Sequence, residues 1–284
     1  MSILPSTYET AFMTFFFVYV RVSSAVLTTP ILSNTSVSRP IKAGIAFWIT
    51  IVLLGPVWGL NTAQTGPVIP LVARQFQGFI DFSLAVAGEV LVGMTLGFIA
   101  QVFLNTIGIA GEIIGQQAGF SAASVFDPLT GQDIFLMAQI QTWIGTLVFL
   151  VLDGPIKVLE VLSDSFNVLA PGEGFPLRRL TEAGYETLLF SEGQRTALAS
   201  IMFKVGVQLA APMIAAMILI SLAEAFIART VPQLNVMAIS FAVRIGISLL
   251  FIFSLMRFSL ISFGDYLSGY THYAQSVLQR LAPF

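Results

Sequence analysis

At 284 residues the chain is long enough for two ordinary soluble domains, but 56% hydrophobic and 10% charged residues, with a mean hydropathy of +0.88, describe a protein whose main solvent is not water. Thirteen Lys+Arg against fifteen Asp+Glu leave a net charge of -2, so no overall basic field exists to hold nucleic acid or an anionic surface. There is no cysteine and one histidine, His272, which removes disulfides and thiolate chemistry, leaves little for a metal site, and gives no reason to expect a cofactor.

The first apolar block, Ala11 to Val20, follows Glu9 and meets no positive residue before Arg21. That is the wrong order of charges for a cleaved secretory signal, so the block reads as part of the mature protein. A membrane helix needs roughly 20 apolar residues, and blocks of about that length recur along the chain, nearly all interrupted. Residues 11–32 carry Arg21, 43–60 hold Gly55-Pro56, and 84–104 hold Glu89. Residues 134–152 are cleaner; 154–170 begin with Gly154-Pro155; 197–222 contain Lys204 and Pro212; 236–263 contain Arg244 and Arg257. Gly55-Pro56, Pro155, Pro212 and Pro232 are expected to break or bound helices, several of them half-length. The fold expected is an all-α integral membrane protein of interrupted helical hairpins.

Between Arg244 and Arg257 lie only the twelve residues Ile245 to Met256, too few to cross a hydrocarbon core of roughly 30 Å at about 1.5 Å per residue. An ionisable group at membrane depth costs about 2.5 to 3.5 kcal/mol on insertion scales and turns toward a polar interior or a partner. Five buried charges are therefore expected: Arg21, Glu89, Lys204, Arg244 and Arg257. Arg244 and Glu89 are expected to face protein, paired with each other or with another subunit. The remaining basic residues, among them Arg39, Lys42, Arg74, Lys157, Arg178, Arg179, Arg195, Arg229 and Arg280, scatter without an alternating bias, so orientation stays open. Residues 163–196, around a Pro171-Gly172-x-Gly174 turn, read as a polar loop, and 264–284 as a polar tail with a last helix of modest amphipathy. The division expected is one membrane domain, 1–284.

Gly119-Phe120-Ser121-Ala122 matches the short Gly-x-Ser pattern of rhomboid-type intramembrane proteases. Such an enzyme needs a histidine on another membrane helix, and His272 sits in the polar tail. No His-Glu-x-x-His or Walker A pattern occurs, so the chain reads as non-enzymatic. Two glycine series remain. Gly93-x-x-x-Gly97, after Gly88-Glu89, reads as a close helix–helix contact. In the second, Gly108, Gly111, Gly115 and Gly119 are interleaved with Glu112, Ile113, Ile114, Gln116 and Gln117, then followed by Phe120, Ser121, Val125, Phe126, Asp127 and Pro128. Each glycine weakens a helix by about 1 kcal/mol relative to alanine, and non-helical backbone at membrane depth is tolerated only where protein buries it or water lines it. This segment is expected to be a loop, either a buried turn or one beside a passage.

At this stretch the chain resembles the FliR family of flagellar export-gate proteins, whose injectisome counterparts are the SctT proteins. The likeness includes Arg21 with Thr29-Pro30-Ile31-Leu32, Arg39 with Lys42-Ala43-Gly44, Gly88-Glu89 with Gly93 and Gly97, the block Ala110 to Pro128, and Arg229-x-x-Pro232-Gln233-Leu234-Asn235. It departs at Ala242-Val243-Arg244, where the family often has a proline and then a lysine. The resemblance implies a subunit of the bacterial type III export gate in the inner membrane at the flagellar basal body. It implies FliP and FliQ as sister subunits, FlhB and FlhA as further contacts, and unfolded flagellar proteins as substrates. It also implies hairpins wound into a closed ring, partly raised above the bilayer plane, with the glycine-rich loop as plug, carried here by Gly111, Gly115, Gly119, Phe120 and Ser121. A self-sufficient small-solute transporter is the alternative; it would stay folded alone and bind a solute, whereas a gate subunit would co-purify with sister chains.

Overall fold

The computed structural model describes residues 4–30, 32, 37–54, 76, 78–119, 136–173, 198–230, 240, 242–250 and 269–279. Six helices are α1 (Leu4–Thr28), α2 (Arg39–Leu54), α3 (Phe79–Gln117), α4 (Leu136–Val151), α5 (Gly154–Val168) and α6 (Leu198–Thr230). Residues 242–250 and 269–279 are also helical, and no strand occurs among the described residues. Segments Glu9–Thr28, Phe79–Gln117 and Met202–Thr230 are long and apolar enough to cross a membrane, and Thr142–Val151 is a shorter apolar helix. At about 1.5 Å per residue α3 extends roughly 58 Å, nearly twice a hydrocarbon core.

Several hydroxyls within these helices are satisfied locally. Thr14, Thr50, Thr106 and Thr146 each donate to the carbonyl four residues back, and Ser24 donates to Arg21. Back-bonding of this kind lets Ser and Thr sit in an apolar helix without an orphaned donor.

The chain divides into two compact units. Residues 1–101, 153–197 and 269–284 form the first, and residues 102–152 and 198–268 the second, so α3 contributes to both. In the first unit Phe17 packs with Ala85, Phe76 and Phe82, with ring centroids 5.4 Å from Phe76 and 5.7 Å from Phe82. Tyr270, Tyr273, Ala274, Val277 and Leu278 make one buried stripe of the last helix at helical spacing, and Gln275 donates to Asp164 of α5 at 3.1 Å. In the second unit Ile114 packs on Ala210, Met213 and Met217 of α6. Gly145 of α4 lies against Ile107 and Gly108 against Thr142, so α4 runs back along α3 as a hairpin.

Three expectations change. Residues 108–117, expected as a loop, are helical to Gln117; Ile107, Ala110 and Ile114 are buried along one face, and that packing outweighs the glycines' intrinsic cost. Pro212 does not end its helix: α6 continues on both sides of it, where Ala210 and Met213 are fully buried and hold the backbone. Residues 163–168, expected in a polar loop, complete α5, with Ser163, Ser165 and Phe166 buried. Pro155 does bound a helix, at the first turn of α5, where its missing N–H costs nothing. Residues 55–75 and 174–197 lie outside the described residues.

Pro171-Gly172 forms a tight turn closed by the Glu173 N–H on the Ala170 carbonyl at 3.2 Å, with Gly172 at φ 82. Proline followed by a left-handed glycine is the type II arrangement. Gly172→Ala is expected to destabilise the first unit by about 1 to 2 kcal/mol through its left-handed backbone, read as a lowered melting temperature of the detergent-purified protein; an unchanged melt would refute it.

Candidate functional site

Arg21 of α1 and Glu89 of α3 are each 1% exposed and form an ion pair, Nε to Oε2, at 2.5 Å. The α1 side chains 17, 21, 24 and 28 meet α3 at 82–85, 89, 93 and 97 in the same order, so the two helices run parallel here. Gly93 and Gly97 make this approach possible, since a Cβ at Gly93 would strike Ser24 Oγ and the Arg21 carbonyl oxygen, and one at Gly97 would strike Thr28 Oγ1.

The guanidinium does more than neutralise Glu89. Its Nη1 donates to the Ser165 carbonyl at 3.1 Å and to Ser165 Oγ at 3.0 Å, and its Nη2 donates to the Leu169 carbonyl at 3.0 Å. Both carbonyls stand at the C-terminal end of α5, where a cation is favoured; that of Ser165 also accepts the Leu169 N–H at 2.9 Å. The Phe166 ring lies 4.2 Å from Cζ, adding a cation–π contact. Glu89 spends its other oxygen on the Gly172 N–H, 2.9 Å away. One buried pair thus ties α1, α3, the end of α5 and the turn behind it.

The second unit holds another pair. Arg244 grips Glu224 of α6 through Nη2 to Oε2 at 2.5 Å and Nε to both carboxylate oxygens at 3.1 and 3.2 Å, and Nη2 also donates to Ser221 Oγ at 3.0 Å. The helix 242–250 returns along α6, with Ile247 packed beside Met217. Arg244 and Glu89 therefore do not pair with each other. Lys204 is exposed in the single chain, against the expectation that it is buried; exposure spares its ammonium the cost of desolvation. Arg257 lies outside the described residues.

Of the segment expected to close a passage, Gly108, Gly111, Glu112, Ile113, Ile114, Gly115, Gln116 and Gln117 occupy the end of α3. Ala118 and Gly119 close that end, through the Ala118 N–H on the Ile114 carbonyl and the Gly119 N–H on that of Gln116, with Gly119 at φ 85. Phe120, Ser121, Val125, Phe126, Asp127 and Pro128 lie outside the described residues, as do Pro232, Gln233, Leu234 and Asn235; Arg229 is exposed in the last turn of α6. Among the described residues no three His, Cys, Asp or Glu side chains gather as a metal site. Outside the spans, burial pushes the Tyr270 phenol above its ordinary range, so the last helix packs on a neutral side chain.

The sequence reading missed Glu224, Ser165 and the acceptor role of Leu169.

Membrane-length helices and an ion pair sealed inside apolar packing define an all-α integral membrane protein. The chain belongs to the family of bacterial export proteins, family 1, which it matches over residues 12–269. It is 32% identical over 244 residues to the flagellar biosynthetic protein FliR of Escherichia coli (strain K12), covering 83% of this chain and 82% of that one. To the protein of the same name from Bacillus subtilis (strain 168) it is 28% identical over 237 residues, 84% of this chain and 83% of the other. To that of Aquifex aeolicus (strain VF5) it is 24% identical over 276 residues, 95% and 97%. It is a membrane-embedded component of bacterial export.

Proposed function

We propose that this chain is a non-enzymatic subunit of the flagellar type III protein-export gate in the bacterial inner membrane, at the basal body. In this reading it assembles with FliP and FliQ into a closed helical ring, is contacted by FlhB and FlhA, and passes unfolded flagellar proteins. The observation that carries the reading is the family match across 12–269, combined with helices of membrane length and apolar side chains left exposed on them. Exposed Phe12, Trp48, Leu219 and Phe226 suit lipid and neighbouring subunits better than water.

Residues 108–128 form the gate in this proposal, in two parts. The helical stem 108–117 is held by Ile114 against Ala210, Met213 and Met217, and Gly119, in the left-handed region, redirects the chain. The segment from Phe120 to Pro128 brings the apolar side chains Phe120, Val125 and Phe126, and apolar side chains meeting at a constriction exclude water. Burying one phenylalanine contributes about 1.5 to 3 kcal/mol, enough for a few such contacts to hold a segment closed yet within reach of an export machine.

Deleting residues 120–127 removes the proposed plug and retains the residues of the stem. The expected result is an assembled complex that leaks ions after reconstitution into vesicles, read as dissipation of an imposed potential. A complex that assembles and stays tight would end the plug assignment.

A further inference from the structure

Within the first unit, α5 and the last helix share one polar face. Asp153, Lys157, Glu160, Asp164 and Asn167 recur along α5 at alternating intervals of four and three residues, the spacing that keeps side chains on one side of a helix. Val158, Val161, Leu162, Ser165 and Phe166 take the opposite side and are buried. On the helix 269–279 the exposed side chains are His272, Gln275 and Gln279. The Gln275 amide donates to Asp164 Oδ2 at 3.1 Å and joins the two stripes.

This face stands beside an apolar helix of membrane length. Arg21 lies well inside the segment Glu9–Thr28, about 18 Å from one end and about 10 Å from the other at 1.5 Å per residue. Its guanidinium holds the Ser165 and Leu169 carbonyls, so Asp164 and Asn167, next to them in the chain, are fixed at that level on the outer side of α5. Hydrocarbon there would leave a carboxylate and an amide without hydrogen-bond partners. A tight protein interface suits the face no better: the centres of such interfaces are depleted of Asp, Glu and Lys and enriched in aromatic residues, and neither stripe holds a Phe, Tyr, Trp or Leu. Water suits it. The same unit presents exposed apolar side chains elsewhere, with Phe12 and Leu27 on α1, Trp48 and Val52 on α2, and Phe79 and Phe98 on α3. With those faces turned to lipid and neighbouring chains, the water that the polar face needs lies inside the assembly.

We infer, resting on the reading of this chain as a subunit of an export gate, that the polar face of α5 and 269–279 is an anionic wall of the passage and touches the unfolded polypeptide as it moves through. The amides of Asn167, Gln275 and Gln279 both donate and accept, so they exchange hydrogen bonds with water and with a moving backbone of any sequence. No apolar side chain on the stripe holds a passing apolar segment in place. Three carboxylates, Asp153, Glu160 and Asp164, stand against the single ammonium of Lys157. A lining of one predominant sign attracts the opposite charge, so basic stretches of the exported chain pass this wall more readily than acidic ones.

A photoreactive residue at Glu160 or at Gln279 tests the assignment, in the intact complex in its native membrane, with an export substrate stalled by a stably folded domain at its C-terminus. Both positions are expected to form adducts with the stalled chain, and a probe at Trp48 on α2 none. Substrate adducts at neither position in a complex that holds the stalled chain, or as many from Trp48, would overturn the wall. The charge preference has its own readout. Glu160→Lys alters an exposed side chain and is expected to leave complex yield and melting unchanged. The ratio of export rates for two substrates that differ only in a basic against an acidic segment is expected to fall severalfold. A ratio equal to that of the unaltered protein would overturn the anionic character. Export that continues in cells lacking this chain would instead sink the gate-subunit reading.

Discussion

Arg21→Leu is expected to lower the stability of the first unit by about 3 to 5 kcal/mol, the usual penalty for removing one partner of a fully buried ion pair. The substitution leaves Glu89 inside the protein with only the Gly172 N–H, takes the guanidinium from the Leu169 carbonyl, and leaves the Ser165 carbonyl with the Leu169 N–H alone. It also removes the cation from the Phe166 ring. Glu89→Leu should fall in the same range, because the guanidinium keeps neutral acceptors but no counter-charge. Arg21→Lys should recover little: an ammonium cannot reach Glu89, Ser165 and Leu169 at once from one stem. Glu89→Gln should be the mildest change, since an amide oxygen still accepts from Arg21 Nε. The double variant Arg21→Leu with Glu89→Leu should lose less than the sum of the two single changes, as each single one leaves a charge stranded. Melting of the detergent-purified variants orders these outcomes. If both leucine variants melt with the unaltered protein, the pair does not hold the unit together.

How much of this was legible in the sequence depends on the range of the interaction involved. That Glu89 is buried follows from its place in an apolar block, because a carboxylate there is too costly to leave facing lipid. Its partner did not follow. Arg21 is 68 residues away, and nothing local announces that α1 and α3 run parallel with Gly93 and Gly97 in register against Ala25 and Thr28. The same limit explains Glu224: the apolar run fades at Leu222, yet α6 continues to Thr230 because Ala-rich sequence favours helix whether or not it is apolar. The Pro171-Gly172 turn could be read directly, since proline and left-handed glycine encode it within four residues. At 108–117 local propensity pointed to a broken helix, and tertiary burial of Ile107, Ala110 and Ile114 decided otherwise. The glycines that weaken the helix in isolation are the ones that admit a neighbour, as Gly108 does for Thr142.

Gly93→Ala is expected to be the most damaging of the glycine substitutions, for a reason that distinguishes it from the others. A methyl at Gly93 meets the carbonyl oxygen of Arg21 as well as Ser24 Oγ; the hydroxyl can rotate away, but the backbone oxygen is fixed in α1. The two helices must therefore separate, and overpacking of this kind costs typically about 1 to 3 kcal/mol. Here the cost should reach the upper end, because Glu89 is one turn from Gly93 on the same face of α3 and the clash is with Arg21 itself. Moving the backbone of Arg21 away from α3 stretches the buried ion pair along with the helix contact. Gly97→Ala should behave similarly, against Thr28 and the Ala25 carbonyl. Gly145→Ala should be gentler, as its new methyl meets the movable end of Ile107. Gly44→Ala and Gly246→Ala, where an added methyl meets nothing within 4 Å, should leave stability unchanged or raise it by up to about 1 kcal/mol through helix propensity. Melting temperatures of the five variants provide the comparison. Equal effects at Gly93 and Gly44 would mean that α1 and α3 are not in contact through these glycines, and the Arg21–Glu89 geometry that depends on that contact would have to be abandoned.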